Sequence, residues 1–580
     1  MASVERMAYG TSGRDFGQGR EQGRERPTAN SAGKLLTPYC AAIDLVLLLG
    51  PATLAQERFT QSVLPPVPDG ETIGAFPVGE DDGYEIEATR KMFPDGLSLA
   101  DVIASLCKCY PEIQAARQEY RRADGELLSS WGTFDTKLQS YSLNEPTGYY
   151  ENSRHAIGVA RQTWWGGYLS AGYRIGRGEF QPWYKERETD KSGEFKIGWI
   201  QPLLRGKATD LNRVSVFRAS LARQAAQPAL LQAILDSARE ATDTYWKWVA
   251  AGQSLRAQRE LLQLAKTRGE QFEAGLKAGK FAEIDIILNR QLIAERQVKV
   301  LDSQRKFQAM AYKLSLYLRD EACQPIIPSE AWLPQRFPVT ERPTNGNLRE
   351  DVAASLARRP EPRILQIEIN RMRWEQQLAR NDALPQFDFV AEASQDVGPP
   401  ASSSDDKDEF LVVVGVRGEV PIQRRKARGK LQSTSAKVAQ LRQKLLLQKN
   451  KIETELRIAY NALQLNSQIV EQAELSLAAA LDSLQRYRFA FDRGKVDLIY
   501  LNLLETKANE TEIKLIEAQG NWFQSLGQMQ SALGLDPLEQ SLLISELPLS
   551  PRPGVGIAPS QNTIDEENFD RDWEIHSQAE

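Results

Sequence analysis

Apolar residues recur at every seventh position over long stretches of the chain. Leu456, Leu463, Val470, Leu477 and Leu484 form one column. Leu431, Val438, Leu445, Ile452, Ala459, Asn466, Ala473, Ala480 and Tyr487 form its neighbour, and Trp248, Leu255 and Leu262 repeat the spacing earlier. A seven-residue repeat keeps one apolar seam facing a partner helix, and small residues in one column suit close approach, so the pattern predicts coiled-coil packing. From Pro202 to about Arg268 it predicts a helix on the order of 100 Å long at 1.5 Å per residue. Pro228 falls inside that helix and is expected to kink it or break it locally, because its ring removes a hydrogen bond and crowds the preceding turn.

Between the helical stretches the period drops to two. Phe387, Phe389, Ala391 and Ala393 alternate with more polar neighbours. So do Phe195, Ile197 and Trp199, and again Leu169, Ala171, Tyr173 and Ile175. Aromatic pairs (Tyr149-Tyr150, Trp164-Trp165, Trp183-Tyr184) stand at or near the ends of these runs. Alternation flanked by aromatic residues fits transmembrane β-strands, and equally a half-buried soluble sheet. Two strands in each half would make four per chain. An open four-stranded sheet in lipid leaves its edges unsatisfied, so several chains must share a barrel, and three would give twelve strands. Residues 133–201 are longer than two strands need, which predicts an extra hairpin at 154–177, turning at Gly166-Gly167, that extends the barrel outside or caps it.

The chain also repeats itself. Residues 272–318 match 487–533 at a constant offset of 215, placing Phe272 on Tyr487, Gly279-Lys280 on Gly494-Lys495, Leu288 on Leu503 and Phe307 on Trp522. Upstream, Gln201-Pro202-Leu203-Leu204 answers Val420-Pro421-Ile422, and Ala104-Ser105-Leu106 with Pro111 answers Ala354-Ser355-Leu356 with Pro360. A duplication of this length predicts two helix–strand–strand–helix repeats, at 97–320 and 348–535. A proline-rich linker at 321–347 joins them. Arginines and Lys34, then the apolar run Ile43 to Leu49 and Thr53-Leu54-Ala55, read as a secretory signal over 1–55, with Met1 or Met7 as its start. Residues 56–96 read as a flexible leader, and 536–580 as a disordered acidic, proline-rich tail.

Composition narrows the function by exclusion. The net charge of −5 leaves no dominant basic face for nucleic acid. With two histidines and four cysteines, material for metal or nucleophilic chemistry is scarce, and neither an enzyme activity nor a cofactor is expected. Cys107 and Cys109 are too far apart around a helix to share a face and are expected to be unpaired structural thiols.

The ordered duplication, the Pro-Leu-Leu-Arg-Gly segment at 202–206, the Ala-Leu-Pro-Gln-Phe-Asp segment at 383–388 and the paired F-x-x-G turns resemble the TolC-type outer-membrane efflux proteins over roughly 97–535. The resemblance implies an α+β membrane protein: a long α-helical coiled-coil barrel continuous with a transmembrane β-barrel shared between three chains. It implies a homotrimer in the outer membrane of a diderm bacterium, in contact with outer-membrane lipid and with a large periplasmic portion. It also implies an exit duct for efflux or type I secretion, fed by a periplasmic adaptor and an inner-membrane transporter of RND, ABC or MFS type. Tip turns at Gly279 and Gly494 would face the periplasmic entrance. Asp285 holds the position of a mouth-lining acid in the first repeat. Tyr500 takes that position in the second, with Asp497 the nearest acid. Arg486, Arg488 and Arg493 are candidates for gate salt links or adaptor docking. The competing reading is a periplasmic adaptor or a coiled-coil scaffold, which explains the heptads but not the duplication and the aromatic strands together.

Overall fold

The computed structural model describes residues 96–550, apart from 181–186, 278–281, 341–346, 402–409 and 494. The expected signal at 1–55, nearly all of the leader, both tip glycines (Gly279 and Gly494) and residues 551–580 lie outside the described residues.

Two short helices, α1 (Leu99–Cys109) and α2 (Pro111–Trp131), open the fold. Ser98 and Asp101 cap α1 reciprocally, and Pro111 starts α2 where its missing N–H costs nothing. Four strands follow: β1 (Lys137–Glu145), β2 (Asn152–Gln162), β3 (Tyr168–Gly178) and β4 (Glu194–Pro202). Next come two long helices, α3 (Leu211–Lys277) and α4 (Glu283–Leu314). A second short pair, α5 (Leu348–Arg358) and α6 (Pro360–Asn381), precedes β5 (Gln386–Asp396) and β6 (Phe410–Glu419). The chain continues as α7 (Arg425–Asp492), α8 (Leu498–Leu533) and the small α9 (Pro537–Ser545). At 67 and 68 residues, α3 and α7 are each about 100 Å long.

The heptads are the core. Every member of the first column, Leu456 to Leu484, is buried, as are Trp248, Leu255 and Leu262. The neighbouring column is mixed, with Val438, Ile452 and Ala459 buried and Asn466 donating 2.6 Å to Ser525 on α8. Around them Trp246 stacks on Phe523 at 4.2 Å and Trp248 on Phe307 at 6.0 Å. The helix predicted from Pro202 has the expected length but begins at Leu211, and it runs through Pro228 without the expected break. Proline removes only the bond to the Gln224 carbonyl, and α2 and α6 both pack along α3.

Two expectations about the helical part need correction. Cys109 is not an unpaired thiol: it forms a disulfide with Cys323, 214 residues away in the loop after α4. Only Cys107 remains a thiol among the described residues, and burial pushes its pKa up. The proline-rich linker contributes to the core through Trp332, Leu333 and Phe337, which adds to the expectation without overturning it. The start of the tail is ordered: Asp536 caps α9, Pro537 opens it, Ile544 is buried, and Ser550 donates to the Phe337 carbonyl at 2.8 Å.

The six strands form one antiparallel sheet in sequence order, β1-β2-β3-β4-β5-β6. The extra hairpin is present as β2–β3, but it neither projects beyond the sheet nor caps it; both strands lie within it, between β1 and β4. Its turn lies at the helical end. Trp164 stacks on Trp131 at the end of α2 (5.0 Å) and meets Phe217 on α3 edge-on (5.8 Å). Gly166 has φ +90°, and a Cβ there would come within 2.5 Å of the Gly206 carbonyl, so only glycine fits this turn.

Candidate functional site

Two regions stand out: the far ends of the helical hairpins α3–α4 and α7–α8, and the exposed faces of the sheet. At the hairpin ends, Asp285 and Asp497 play complementary parts in helix capping. Asp285 Oδ2 accepts the Ala282 N–H at 3.0 Å before the first turn of α4, and Asp497 Oδ1 accepts the Tyr500 N–H at 2.9 Å at the start of α8. A carboxylate at a helix N-terminus satisfies an orphan donor and complements the helix dipole, so both acids have a structural job here. Asp497 is exposed and Asp285 half-buried. Arg486 pairs with Asp482 one turn back on its own helix at 3.1 Å. The Arg493 guanidinium lies over the Phe489 ring at 3.9 Å. Arg488 points inward, to Glu505 at 3.5 Å.

Glu505 is the centre the sequence reading missed. Its side chain is fully buried on α8 and draws one arginine from each of the other three long helices: Arg268 of α3, Arg296 of α4 and Arg488 of α7. Arg268 Nη1 reaches Glu505 Oε2 at 3.1 Å and Asn502 Oδ1 at 2.6 Å, and also makes a close ion pair through Nη2. Arg296 reaches Glu505 Oε2 at 3.2 Å and the Leu261 carbonyl at 2.9 Å. Burial alone would raise the Glu505 carboxyl, but the Arg268 hydrogen bonds and three guanidinium charges override it and hold it below the ordinary range. The cluster sits about 10–15 Å from the hairpin ends, counting seven residues into α8 at 1.5 Å each. A signal for it existed. Leu498, Leu501, Glu505, Ala508, Glu512, Leu515, Gln519 and Trp522 follow a 3-4 spacing, and all are buried, so polar residues occupy every seventh seam position. Glu512 differs from Glu505: burial and the nearby Glu260 raise it to about 7.

The second region is the sheet. Phe195, Ile197 and Trp199 on β4 and Val412, Val414 and Val416 on β6 are all exposed. The register puts them on one face: Ile197 is opposite Ala393, which is opposite Val412, and Trp199 continues through Ala391 to Val414. The other face carries Lys196 and Glu392, paired at 2.7 Å. Both edge strands, β1 and β6, are exposed along their whole length. No described helix is long and apolar enough to cross a membrane, and no cluster of His, Cys, Asp and Glu among the described residues could hold a metal. A groove of about 680 Å³ between α3, α4 and α8, lined by Lys247, Lys299, Asp302 and Glu517 among others, has mixed charge and no catalytic grouping.

No protein-family model matches the chain, and no curated protein sequence does. Solved structures do. The open state of the Neisseria gonorrhoeae MtrE outer membrane channel aligns with TM-score 0.56 at 14% identity, over 76% of this chain and 90% of that one. The Campylobacter jejuni CmeC outer membrane channel aligns at 0.54 and 12% identity, over 83% and 97%. The outer membrane protein VceC of Vibrio cholerae aligns at 0.54 and 13%, over 75% and 96%. The fold is therefore the one shared by outer membrane factor channels. This chain spans nearly the whole length of each of these three proteins and adds residues of its own.

Proposed function

We propose that three copies of the chain form an exit duct in the outer membrane, with the sheets closing a shared β-barrel and the long helices forming a periplasmic tunnel. The observation that carries this reading is the sheet. Its apolar side chains face outward into solvent, and among the described residues its two edges, β1 and β6, are unpaired, which no chain could leave so in lipid. Joined to four helices too long for a compact core, such a sheet fits a duct better than an adaptor or a scaffold. The duplication read from the sequence fits the same plan. The Cys109–Cys323 disulfide supports an oxidising compartment outside the cytoplasm.

In this reading the hairpin ends form the periplasmic entrance, and the loop at Thr147, at the opposite end of the sheet, faces outward. A periplasmic adaptor and an inner-membrane transporter of RND, ABC or MFS type would deliver cargo there, with the groove of α3, α4 and α8 available to the adaptor. The duct itself does no chemistry. Asp285 would supply three carboxylates around the pore axis, while Arg486, Arg493 and Asp497 would charge the neighbouring turns. A narrow mouth ringed by carboxylates favours cations, because low-dielectric walls focus the field of fixed charges.

Planar-bilayer recording tests this. The purified protein is expected to conduct, with a preference for cations that Asp285→Asn lowers. Asparagine keeps an oxygen to cap Ala282, so stability should change by no more than about 0.5 kcal/mol, as for a surface site. Silent bilayers would remove the duct; conduction with unchanged selectivity would remove only Asp285 from the mouth.

A further inference from the structure

The β2–β3 hairpin changes the size of the barrel. We propose that it is part of the membrane-spanning wall, so that three chains close eighteen strands, not twelve, around a water-filled lumen. The proposal rests on the duct reading above.

Three observations carry it. First, the hairpin is paired on both sides, with β1 along one edge and β4 along the other, over 9 and 7 residue pairs. At 11 residues each, β2 and β3 are long enough to cross the hydrocarbon layer as tilted strands.

Second, the two faces of the sheet keep their character across the hairpin. One row of directly opposed residues reads Leu138, Val159, Ala171, Ile197, Ala393 and Val412, apolar from edge to edge. On the opposite face Arg174 pairs with Glu194 at 2.6 Å and Arg154 with Glu145, beside Ser170 and the facing glycines Gly158 and Gly172. A hairpin folded into the lumen or lying over its mouth would meet water on both sides and would have no reason to continue an apolar row. A wall strand has lipid on one side and water on the other, and this alternation matches it.

Third, the edges fit a second copy of this chain. An even number of antiparallel strands makes β6 run opposite to β1, so β6 of one copy can accept β1 of the next in the same antiparallel sense. The apolar row then continues from Val412 to Leu138 of the neighbour, and a three-fold rotation closes the ring without leaving an edge. Barrel diameter grows roughly linearly with strand number, so eighteen strands give a bore about half again as wide as twelve, in the range where an aqueous channel remains open.

The test is nitroxide accessibility in the full chain, reconstituted in phospholipid vesicles with Cys40 and Cys107 replaced by serine. Single cysteines at Val159 (β2) and Leu169 (β3) probe the apolar face of the hairpin, and Ala156 and Ser170 its polar face. Ile197 (β4) and Val414 (β6) are the references for the rest of the wall. At Val159 and Leu169, collisions with oxygen should exceed those with a water-soluble nickel chelate several-fold, as at the references. At Ala156 and Ser170 the preference should reverse. If Ile197 and Val414 report lipid while Val159 and Leu169 report water, the hairpin lies outside the wall; the eighteen-strand barrel is then wrong and the duct reading stands. If Ile197 and Val414 also report water, the sheet is not in the membrane and both fail.

Discussion

Glu505→Ala should unfold the hairpin ends, at a cost of about 3–5 kcal/mol, the range for removing one partner from a buried ion pair. Three guanidinium groups would be left facing one another, two of them buried, with Arg296 retaining only the Leu261 carbonyl and Arg268 the Asn502 side chain. Proteolysis within 255–300 and 485–510 should accelerate, whereas the sheet and the α1–α2 end should be protected as before. Replacing the buried charges together, with Arg268→Met, Arg296→Met and Glu505→Leu, should recover much of the loss, because desolvation of the ions no longer opposes packing. The pH dependence has a definite sign. The folded carboxyl is held below its ordinary pKa of about 4.3, so its stabilisation is complete above that value and is lost as pH falls through the lower folded value. Wild-type thermal stability retained in Glu505→Ala would show that the helices pack without the cluster.

The second large effect is expected at the other end of α4. Joining Cys109 to Cys323 closes a loop across 214 residues that contains four strands and two long helices. Cross-links of this kind stabilise by about 2–5 kcal/mol, mostly through the entropy they remove from the unfolded chain. Cys109→Ala, or reduction by dithiothreitol, should lower the melting temperature to the same extent, and reduction should add nothing to the variant. Peptide mapping should recover Cys109 and Cys323 joined and Cys107 alkylatable. Two alkylatable cysteines at 109 and 323 in the untreated protein would contradict the pairing. Local contacts keep the native geometry in place: Ser105 Oγ accepts the Arg319 N–H at 2.7 Å and donates to the Arg319 carbonyl at 3.1 Å.

What could be read from the chain follows from the range of the interactions. The seams at Leu456 to Leu484 and at Trp248 to Leu262 were legible because coiled-coil packing is periodic, and a period needs no knowledge of the partner. The hairpin at 154–177 was legible as surplus length. Its place in the sheet was not: the alternation of Leu169 to Ile175 marks β3, but β2 carries Arg154, Gly158 and Arg161, which blur a period-two signal, and only pairing with β1 and β4 assigns the faces. The disulfide was hidden because its partner is 214 residues distant, and spacing along one helix says nothing about that. Asp285 and Asp497, the acids the sequence offers for the mouth, make capping bonds to Ala282 and Tyr500 that give each a local reason to be there. Charge is conspicuous at the turns, whereas the informative position, Glu505, is a charge standing in an apolar seam.

The mass of the protein solubilised in mild detergent tests the central claim most directly. Six strands with two open edges cannot stand alone in lipid, so the account predicts a species of three chains that dissociates only on unfolding. A stable, folded single chain, with its sheet intact and its edges uncovered, would contradict it.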